Sequence, residues 1–246
     1  MSRHAPVTRV LVAVDLEAAS GPAIAAAGAL ARLFGASLTA VHAHRLEMPA
    51  YFTGAEMDAL EAERMEGRAG AAAELEAFVA LYTDVPASTR VEEGAPAEAI
   101  LRLAPAFDLV VVGTRRLHGA RRWWLGSVAE AVVRRATVPV LVAPAPNGAR
   151  PTLEVGTRIA VVGTTDTRAD AWLAAFGTAM NAEVSRVADV AHCTPDHLRT
   201  AGLVVLTLTR ESRGTSLDQA VQMLKECSHP VLFIPAAEAA IPRSPS

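Results

Sequence analysis

Short apolar runs alternate with long amphipathic stretches along this chain, and this alternation restricts the fold more than any other feature. The first run, RVLVAVD (Arg9–Asp15), is unbroken in the way of a strand buried on both faces of a parallel sheet. A helix is predicted to follow, with Ser20 as its N-cap, Pro22 in its first turn and Gly35 at its end. Strands that alternate strictly with helices predict right-handed crossovers and a parallel sheet covered on both faces.

Four further strands are predicted in the first half, at residues 37–45, 88–94, 109–113 and 139–144. A long helical stretch rich in Ala, Glu and Arg follows the second strand, and it carries Leu75, Phe78, Val79 and Tyr82 on one face. Shorter helices are predicted at residues 95–106 and 127–136. The first half therefore contains five strands of an α/β domain.

The same pattern restarts after a segment with three prolines and two glycines at residues 143–157. RIAVVGTTD (158–166) echoes RVLVAVDLE, and LVVLTLTR (203–210) echoes LVVVGTRR. The second pass is shorter, because few residues separate its second strand from the run at 203–210. We therefore predict a first domain at 1–146, a linker at 147–157 and an abbreviated second domain at 158–246, formed by internal duplication.

Composition sets limits on partners and compartment. The net charge of −3 gives no reason to expect nucleic acid or a membrane surface as a partner. The apolar run near the N-terminus is too short for a secretory signal, and no segment is long enough to span a membrane. Two cysteines, Cys193 and Cys227, are too few for a disulfide framework. A cytoplasmic protein is expected.

The stretch VVVGTRRLHGARRWWLGS (110–127) has the character of a phosphate loop, because glycines and cations follow a strand and precede a helix. Together with VAVD, VHAH and EGAPAEAILRLA, it resembles the universal stress protein family, in its tandem two-domain form. That family has the signature G-x2-G-x9-G-[ST]. Gly113 and the pair Gly126-Ser127 match it, whereas Arg116 replaces the middle glycine. The resemblance implies two open parallel-sheet α/β/α sandwich domains in tandem, Rossmann-like and similar to the adenine nucleotide alpha hydrolase fold, the second abbreviated.

The resemblance also implies an adenine nucleotide, ATP, as ligand of the first domain, with Mg²⁺ carried on its phosphates. The nucleotide would lie at the carboxyl ends of the first, second and fourth strands, where open α/β sheets bind their ligands. Carried over by position, Ala13 and Asp15 would border the nucleoside, with Asp15 at the ribose. Ala43, Val112 and Gly113 would contact the adenine. The phosphates would lie at Gly126, Ser127 and Val128. A role in stress adaptation without catalysis is expected, since no nucleophile–base pair or Walker-type lysine is present.

Two features of the loop leave alternatives open. Ser127 could act only as a helix cap, since serine is common at helix starts. Arg116 could clamp phosphates through its planar guanidinium, close the loop against nucleotide, or leave a looser site for another anion. The competing functions are an interaction or dimerisation module that binds no nucleotide, and a protein that binds another phosphorylated ligand. A homodimer or an unidentified protein would then be the partner.

The second domain is expected to bind no nucleotide. Thr164 and Thr207 stand where the first domain has Asp15 and Gly113, and the loop that follows is too short for the signature. Because family dimers pair their fifth strands antiparallel, residues 139–144 and 230–235 are expected to pair in this way within one chain. Zinc is not expected, since the cluster at residues 192–197 and the pair Cys227 and His229 should lie at opposite edges of the sheet.

Overall fold

The structure is a computed structural model that describes residues 7–44, 54–116, 123–144, 153, 156–189, 192–194, 197, 200–208, 218 and 229–235. At residues 44, 54–66, 115, 116, 123, 124 and 208 the description is limited to the backbone. The first half contains, in chain order, β1 (Arg9–Ala13), α1 (Gly21–Phe34), β2 (Ser37–His44), α2 (Gly54–Ala80), β3 (Ala87–Glu93), α3 (Pro96–Leu103), β4 (Leu109–Gly113), β5 (Arg115–Arg116), β6 (Trp123–Trp124), α4 (Ser127–Arg135) and β7 (Val140–Ala143). The second half contains β8 (Arg158–Val162), α5 (Thr167–Met180), β9 (Glu183–Val187), β10 (Leu203–Leu208) and β11 (Val231–Pro235).

Nine of these strands form one continuous sheet, in the order β3-β2-β1-β4-β7-β11-β10-β8-β9. Every neighbouring pair is parallel except β7 and β11. The order β7-β4-β1-β2 in the first half therefore recurs as β11-β10-β8-β9 in the second, and the described second half has no counterpart of β3. The predicted α/β class with a largely parallel sheet is confirmed.

The two halves meet where β7 and β11 pair antiparallel. Val142 lies opposite Val231, Leu141 opposite Leu232, and Val140 opposite Phe233. Both strands are buried along their whole length. The predicted pairing of the fifth strands within one chain is confirmed, and it merges the two expected sheets into one because each strand covers the exposed edge of the other.

The core is divided between the two faces of this sheet, and each face extends across both halves. Helix α1, the end of α2 and α5 pack against one face of the sheet. On this face the ring centroids of Phe34 in α1 and Phe176 in α5 lie 4.9 Å apart. The other face packs α3 and α4. Leu75 and Val79 of α2 are buried, with Phe78 and Tyr82 packed beside them, as their shared helical face predicted.

Most predicted boundaries hold to within a few residues. Gly35 ends α1 in a left-handed conformation with φ of 64°, as expected for a helix C-cap. The first strand is shorter than predicted and stops at Ala13, so that Asp15 lies in the turn beyond it. The interdomain linker and the segment between β10 and β11 lie largely outside the described residues. The proposed domain boundaries remain predictions.

Candidate functional site

A cavity of about 420 Å³ opens at the carboxyl ends of β1, β2 and β4. This volume falls within the range of about 300–1,000 Å³ that is typical of small-molecule sites. The turn after β1, the N-terminus of α3 and the N-terminus of α4 complete its walls. Crossover helices in a parallel sheet begin at the edge where the strands end, so the topology itself brings these helix starts together.

Eight of the nine residues predicted for the site line this cavity. They are Ala13, Asp15, Ala43, Val112, Gly113, Gly126, Ser127 and Val128. The ninth, Arg116, has only its backbone described and is not among the described lining residues. The structure therefore brings together residues that are up to 115 positions apart in sequence (13 to 128) at one end of the sheet.

Asp15 is the only ionisable residue among the described residues that line the cavity. Its Oδ1 accepts hydrogen bonds from the Ser20 hydroxyl and from the Glu17 N–H, the latter at 3.1 Å. The Ser20 Oγ in turn accepts the Asp15 N–H at 3.0 Å. Ser20 occupies the predicted N-cap position of α1, but its side chain does not cap the helix. A short 3-10 turn places Ser20 in a helical conformation, with φ of −78° and ψ of −18°, whereas a capping residue needs an extended one.

The start of α4 supplies the polar backbone of the site. Gly126 is the N-cap residue and Ser127 the first helical residue, and among the described residues no side chain caps this end of the helix. The first intrahelical bond runs from the Glu130 N–H to the Gly126 carbonyl, at 2.9 Å. The N–H groups of the three residues between them have no carbonyl partner within the helix, and they carry the positive end of its dipole. An anion in the cavity would meet these N–H groups.

The two signature glycines differ in what surrounds them. A Cβ on Gly113 would come within 3.3 Å of the Ala19 carbonyl oxygen, so packing between β4 and the turn before α1 favours glycine there. A Cβ on Gly126 would meet no described atom within 4 Å, and its φ of −58° and ψ of 157° suit any residue. Neither backbone conformation nor described packing therefore requires glycine at 126, and relative to the described residues a side chain there would lie in open space beside the cavity.

Arg116 lies in a short antiparallel ribbon rather than in a glycine-type turn. Arg115 pairs with Trp124, and Arg116 pairs with Trp123. The backbone at 116 is extended, so the left-handed conformation that would cost a non-glycine residue about 1–2 kcal/mol is not adopted. Arginine is therefore compatible with the backbone that replaces the middle glycine of the signature.

A family model for the universal stress proteins, described as "Universal stress protein family", matches residues 6–144, which is more than half of the chain. The chain belongs to this family. A universal stress protein of Mycobacterium tuberculosis is 35% identical over 141 residues, covering 57% of this chain and 46% of the relative. One of Thermus aquaticus is 35% identical over 135 residues, covering 54% of this chain and 95% of the relative. The match thus spans about half the length of the mycobacterial relative.

Family likeness in fold extends beyond the matched segment. The crystal structure of a universal stress protein from Archaeoglobus fulgidus aligns with a TM-score of 0.65 over 93% of this chain and 98% of that chain. The two sequences are only 12% identical over this alignment, so the comparison concerns the fold. Both halves of this universal stress protein therefore share in a known architecture.

The second half carries a different arrangement at the position that corresponds to the cavity. Thr207 lies near the end of β10, at the position that corresponds to Gly113 at the end of β4, and its Oγ1 donates to the Thr164 carbonyl at 2.6 Å. A Cβ on Gly163 would come within 2.7 Å of the same Oγ1. The Thr207 side chain therefore bridges the ends of β8 and β10, whereas the matching ends of β1 and β4 border open space. That this half binds no nucleotide remains a prediction.

The histidine and cysteine cluster of the second half is held by local bonds. His192 Nδ1 lies 2.7 Å from Asp189 Oδ1, and His197 Nδ1 accepts the Thr194 N–H at 3.1 Å. Burial raises the pKa of the Cys193 thiol, which packs against the core. Within the described ranges no group of three or more His, Cys, Asp and Glu side chains converges to hold a metal ion. Asp196 and Cys227 lie outside those ranges.

Sequence reasoning missed eight cavity-lining residues: Val14, Ala19, Ser20, Val41, Pro96, Ile100, Thr114 and Ala129. Val14, Thr114 and Ala129 are immediate neighbours of predicted site residues, and Val41 is two positions from Ala43 on β2. Ala19 and Ser20 come from the 3-10 turn before α1. Pro96 and Ile100 come from α3, for which no site residue was predicted. The sequence signal for Pro96 and Ile100 was the helix start directly after β3, which the topology places at the same edge of the sheet as the cavity.

No helix among the described residues is long and apolar enough to cross a membrane.

Proposed function

We propose that this universal stress protein binds ATP in the cavity of its first half and acts in stress adaptation as a nucleotide-binding protein. The observation that carries the proposal is the convergence of Asp15, Gly113 and the α4 N-terminus on one cavity of about 420 Å³. A carboxylate, an apolar floor and a row of backbone N–H groups are the three surfaces that a nucleoside phosphate needs.

Each part of an adenine nucleotide has a chemically suitable wall. Val41, Ala43 and Val112 offer apolar surface to the flat base. The Asp15 carboxylate accepts hydrogen bonds, as a ribose with two hydroxyl groups would require. The N-terminus of α4 offers N–H groups and a favourable dipole to the phosphates. The open space at Gly126 is consistent with a phosphate that approaches the backbone closely.

Binding without catalysis is the activity we propose. The described residues of the cavity include no lysine, histidine or cysteine, and the single carboxylate already accepts bonds from Ser20 and Glu17. Mg²⁺ would accordingly be held by the phosphates. Arg116 is proposed to contribute its guanidinium to the phosphates from the β5–β6 ribbon, whose antiparallel pairing ends two residues before Gly126.

A non-nucleotide interaction module is the second candidate, and one observation favours it. Asp15 is the one charged residue among the described lining residues, and it is negative. No described cation in the cavity therefore offsets the four negative charges of the ATP phosphates. If Arg116 closes the ribbon over the cavity instead of clamping a ligand, the same fold would serve through its surface. A site for another phosphorylated ligand would share the α4 N-terminus with ATP.

Calorimetric titration of ATP into the whole chain tests the proposal, alongside Ser127→Asp and Arg116→Gly variants. Ser127 is the first residue of α4, so a carboxylate there would repel the phosphates and should weaken ATP at least tenfold. Thr167→Asp is the matched control, since it places the same charge at the first position of α5, away from the cavity. ATP affinity of the control should equal that of the native chain.

The outcomes separate the candidates. An ATP affinity that survives Ser127→Asp would mean that the phosphates do not lie at α4. A native chain that binds no ATP, beside an Arg116→Gly variant that does, would reject the clamp and favour the interaction module. Loss of affinity in Arg116→Gly, with the native chain binding, would support the clamp.

A further inference from the structure

Ser20 stands out in the cavity wall because its hydroxyl is hydrogen-bonded to Asp15. The residue is only 5% exposed, and it lines the cavity beside Asp15. Its Oγ donates to the Asp15 carboxylate and accepts the Asp15 N–H at 3.0 Å, so the two residues are bonded reciprocally. A hydroxyl that satisfies both the backbone and the side chain of one residue restricts that residue to a single conformation.

The turn between the two residues adds further constraint. The Glu17 N–H donates to Asp15 Oδ1 at 3.1 Å, which is the hydrogen bond of an Asx turn. Leu16, between Asp15 and Glu17, has a φ of 60°, a left-handed conformation that is unfavourable for a leucine. Strain of this kind persists where surrounding interactions over-determine the backbone. The Ser20 and Glu17 bonds to Asp15 are two such interactions.

A purely structural role would be the ordinary expectation for a serine at the start of a helix. The side chain would then accept an N–H from the first turn of α1, and it does not do so. The Ser20 hydroxyl instead donates its hydrogen bond to Asp15, the one ionisable residue among the described lining residues of the cavity. The bond is therefore made to the site and not to the helix.

From this geometry we infer that Ser20 is a positioning residue, which holds the Asp15 carboxylate in the orientation that accepts hydrogen bonds from the ribose hydroxyl groups of a bound nucleotide. The inference rests on the proposed function and assigns to the Asp15–Ser20 pair the preference for a ribose over a sugar without hydroxyl groups. Ser20 acts through Asp15, so its effect on affinity requires both the carboxylate and the ligand hydroxyl groups.

The test compares ATP with 2′,3′-dideoxyadenosine triphosphate, which lacks both ribose hydroxyl groups, in calorimetric titrations of the full chain. The native protein should bind ATP roughly tenfold more tightly than the dideoxy analogue, the effect of about one hydrogen bond to a charged group. Ser20→Ala should weaken ATP by about the same factor, leave the analogue unchanged and bring the ratio close to one. In an Asp15→Ala background, the same change should have no further effect on either ligand.

Ser185→Ala is the control, because it removes a serine hydroxyl in the second half, away from the cavity, that donates to the Ile159 carbonyl at 3.4 Å. Thermal unfolding without ligand checks that each variant folds. If Ser20→Ala does not fold, Ser20→Cys replaces it in the cycle, since a thiol keeps the approximate size and donates only weakly.

An equal loss of affinity for both ligands in Ser20→Ala would overturn the inference, since a collapsed turn would weaken every nucleotide. An unchanged ratio of the two affinities would overturn it as well. Both outcomes leave ATP binding by the native chain intact, so they are distinct from failure of the proposed function. A native chain that binds neither ligand would reject the proposed function, and the inference with it.

Discussion

Gly126 holds the N-cap position of α4 without the side chain that usually occupies such a position. Its φ of −58° and ψ of 157° lie in the extended region, where serine caps helices well, and no described atom would meet its Cβ within 4 Å. Stability alone would therefore favour serine at 126. Glycine instead leaves the N–H groups of the first turn available to a ligand.

Replacement of Gly126 by Ser should consequently change stability and binding in opposite directions. The new hydroxyl would accept an N–H from the first turn of α4, and the free energy of unfolding should rise by about 0.5–1 kcal/mol. The same hydroxyl would compete with phosphates for that N–H and fill the open space, so ATP affinity should fall about fivefold or more. Urea unfolding and calorimetry on the same preparation measure both effects. A serine variant with unchanged ATP affinity would contradict a phosphate site at this helix start.

The positions of residues at the cavity were predictable from the sequence where they depend on strand ends, but hydrogen-bond partners and backbone conformations were not. Asp15 and Gly113 follow apolar runs, so their place at the cavity followed from the alternation of strands and helices. The sequence predicts Ser20 as a helix cap, because the 3-10 turn that changes its conformation has no recognisable sequence pattern. The extended backbone of Arg116 depends on pairing with Trp123, seven residues later, which the signature motif does not indicate.

Among the elements, β1 and β4 are joined at the edge opposite the cavity by Asp108. Its Oδ2 accepts the Thr8 N–H at 2.8 Å, the Thr8 hydroxyl at 2.7 Å and the Arg9 N–H at 2.9 Å. Desolvation raises the pKa of the Asp108 carboxyl, but these hydrogen bonds and the Arg9 charge outweigh it and hold the pKa below its ordinary value. The carboxylate therefore aligns the amino ends of the two strands that border the cavity at their carboxyl ends.

An Asp108→Asn variant should lose stability in a pH-dependent manner. Because the pKa is lower in the folded chain than in the unfolded one, the charged carboxylate stabilises the fold above the unfolded pKa, and this contribution disappears as pH falls through the folded pKa. At pH 7 the variant should lose about 1 kcal/mol, a value reduced for the partial exposure of the group. The difference from the native chain should shrink below about pH 4.

Urea unfolding at pH 7, 5 and 3 measures this difference. Asp84→Asn is the matched control, because Asp84 forms an exposed ion pair with Arg32 and should contribute less than about 0.5 kcal/mol at any pH. A loss in Asp108→Asn that is the same at pH 7 and pH 3 would show that the charge of Asp108 does not matter.

Element order was predictable because periodicity and glycine or proline punctuation are local signals. The β5–β6 ribbon was not, since two-residue strands carry no periodicity and their pairing spans residues 115–124. The contribution of α3 to the cavity was also missed. Pro96 and Ile100 reach the cavity because β3 pairs with the outer edge of β2, which places the following helix over the ends of the central strands.

At the scale of the whole molecule, several contacts join the halves across the β7–β11 pair. The core on each face of the sheet extends across both halves. The ring centroids of Phe34 and Phe176 lie 4.9 Å apart. Arg134 at the end of α4 donates to Asp218 in the second half, with Nη2 and Oδ1 2.6 Å apart. Helix α4 is therefore bonded at one end to the second half while its other end borders the cavity. Halves joined in this way are expected to unfold as one cooperative unit.

Phe233→Ala tests this cooperativity at the centre of the sheet. Phe233 is 1% exposed on β11 and lies opposite Val140 on β7, so truncation leaves a cavity at the junction and should lower the free energy of unfolding by about 3–5 kcal/mol. Because the sheet is continuous, the far-ultraviolet dichroism of the whole chain and tryptophan fluorescence should report one transition, moved to lower urea by the same amount. ATP added at saturating concentration should shift that single transition back upward, since a ligand of the first half would then stabilise both halves. Two separate transitions, with only the upper one sensitive to ATP, would instead mean that the halves fold independently despite the shared sheet.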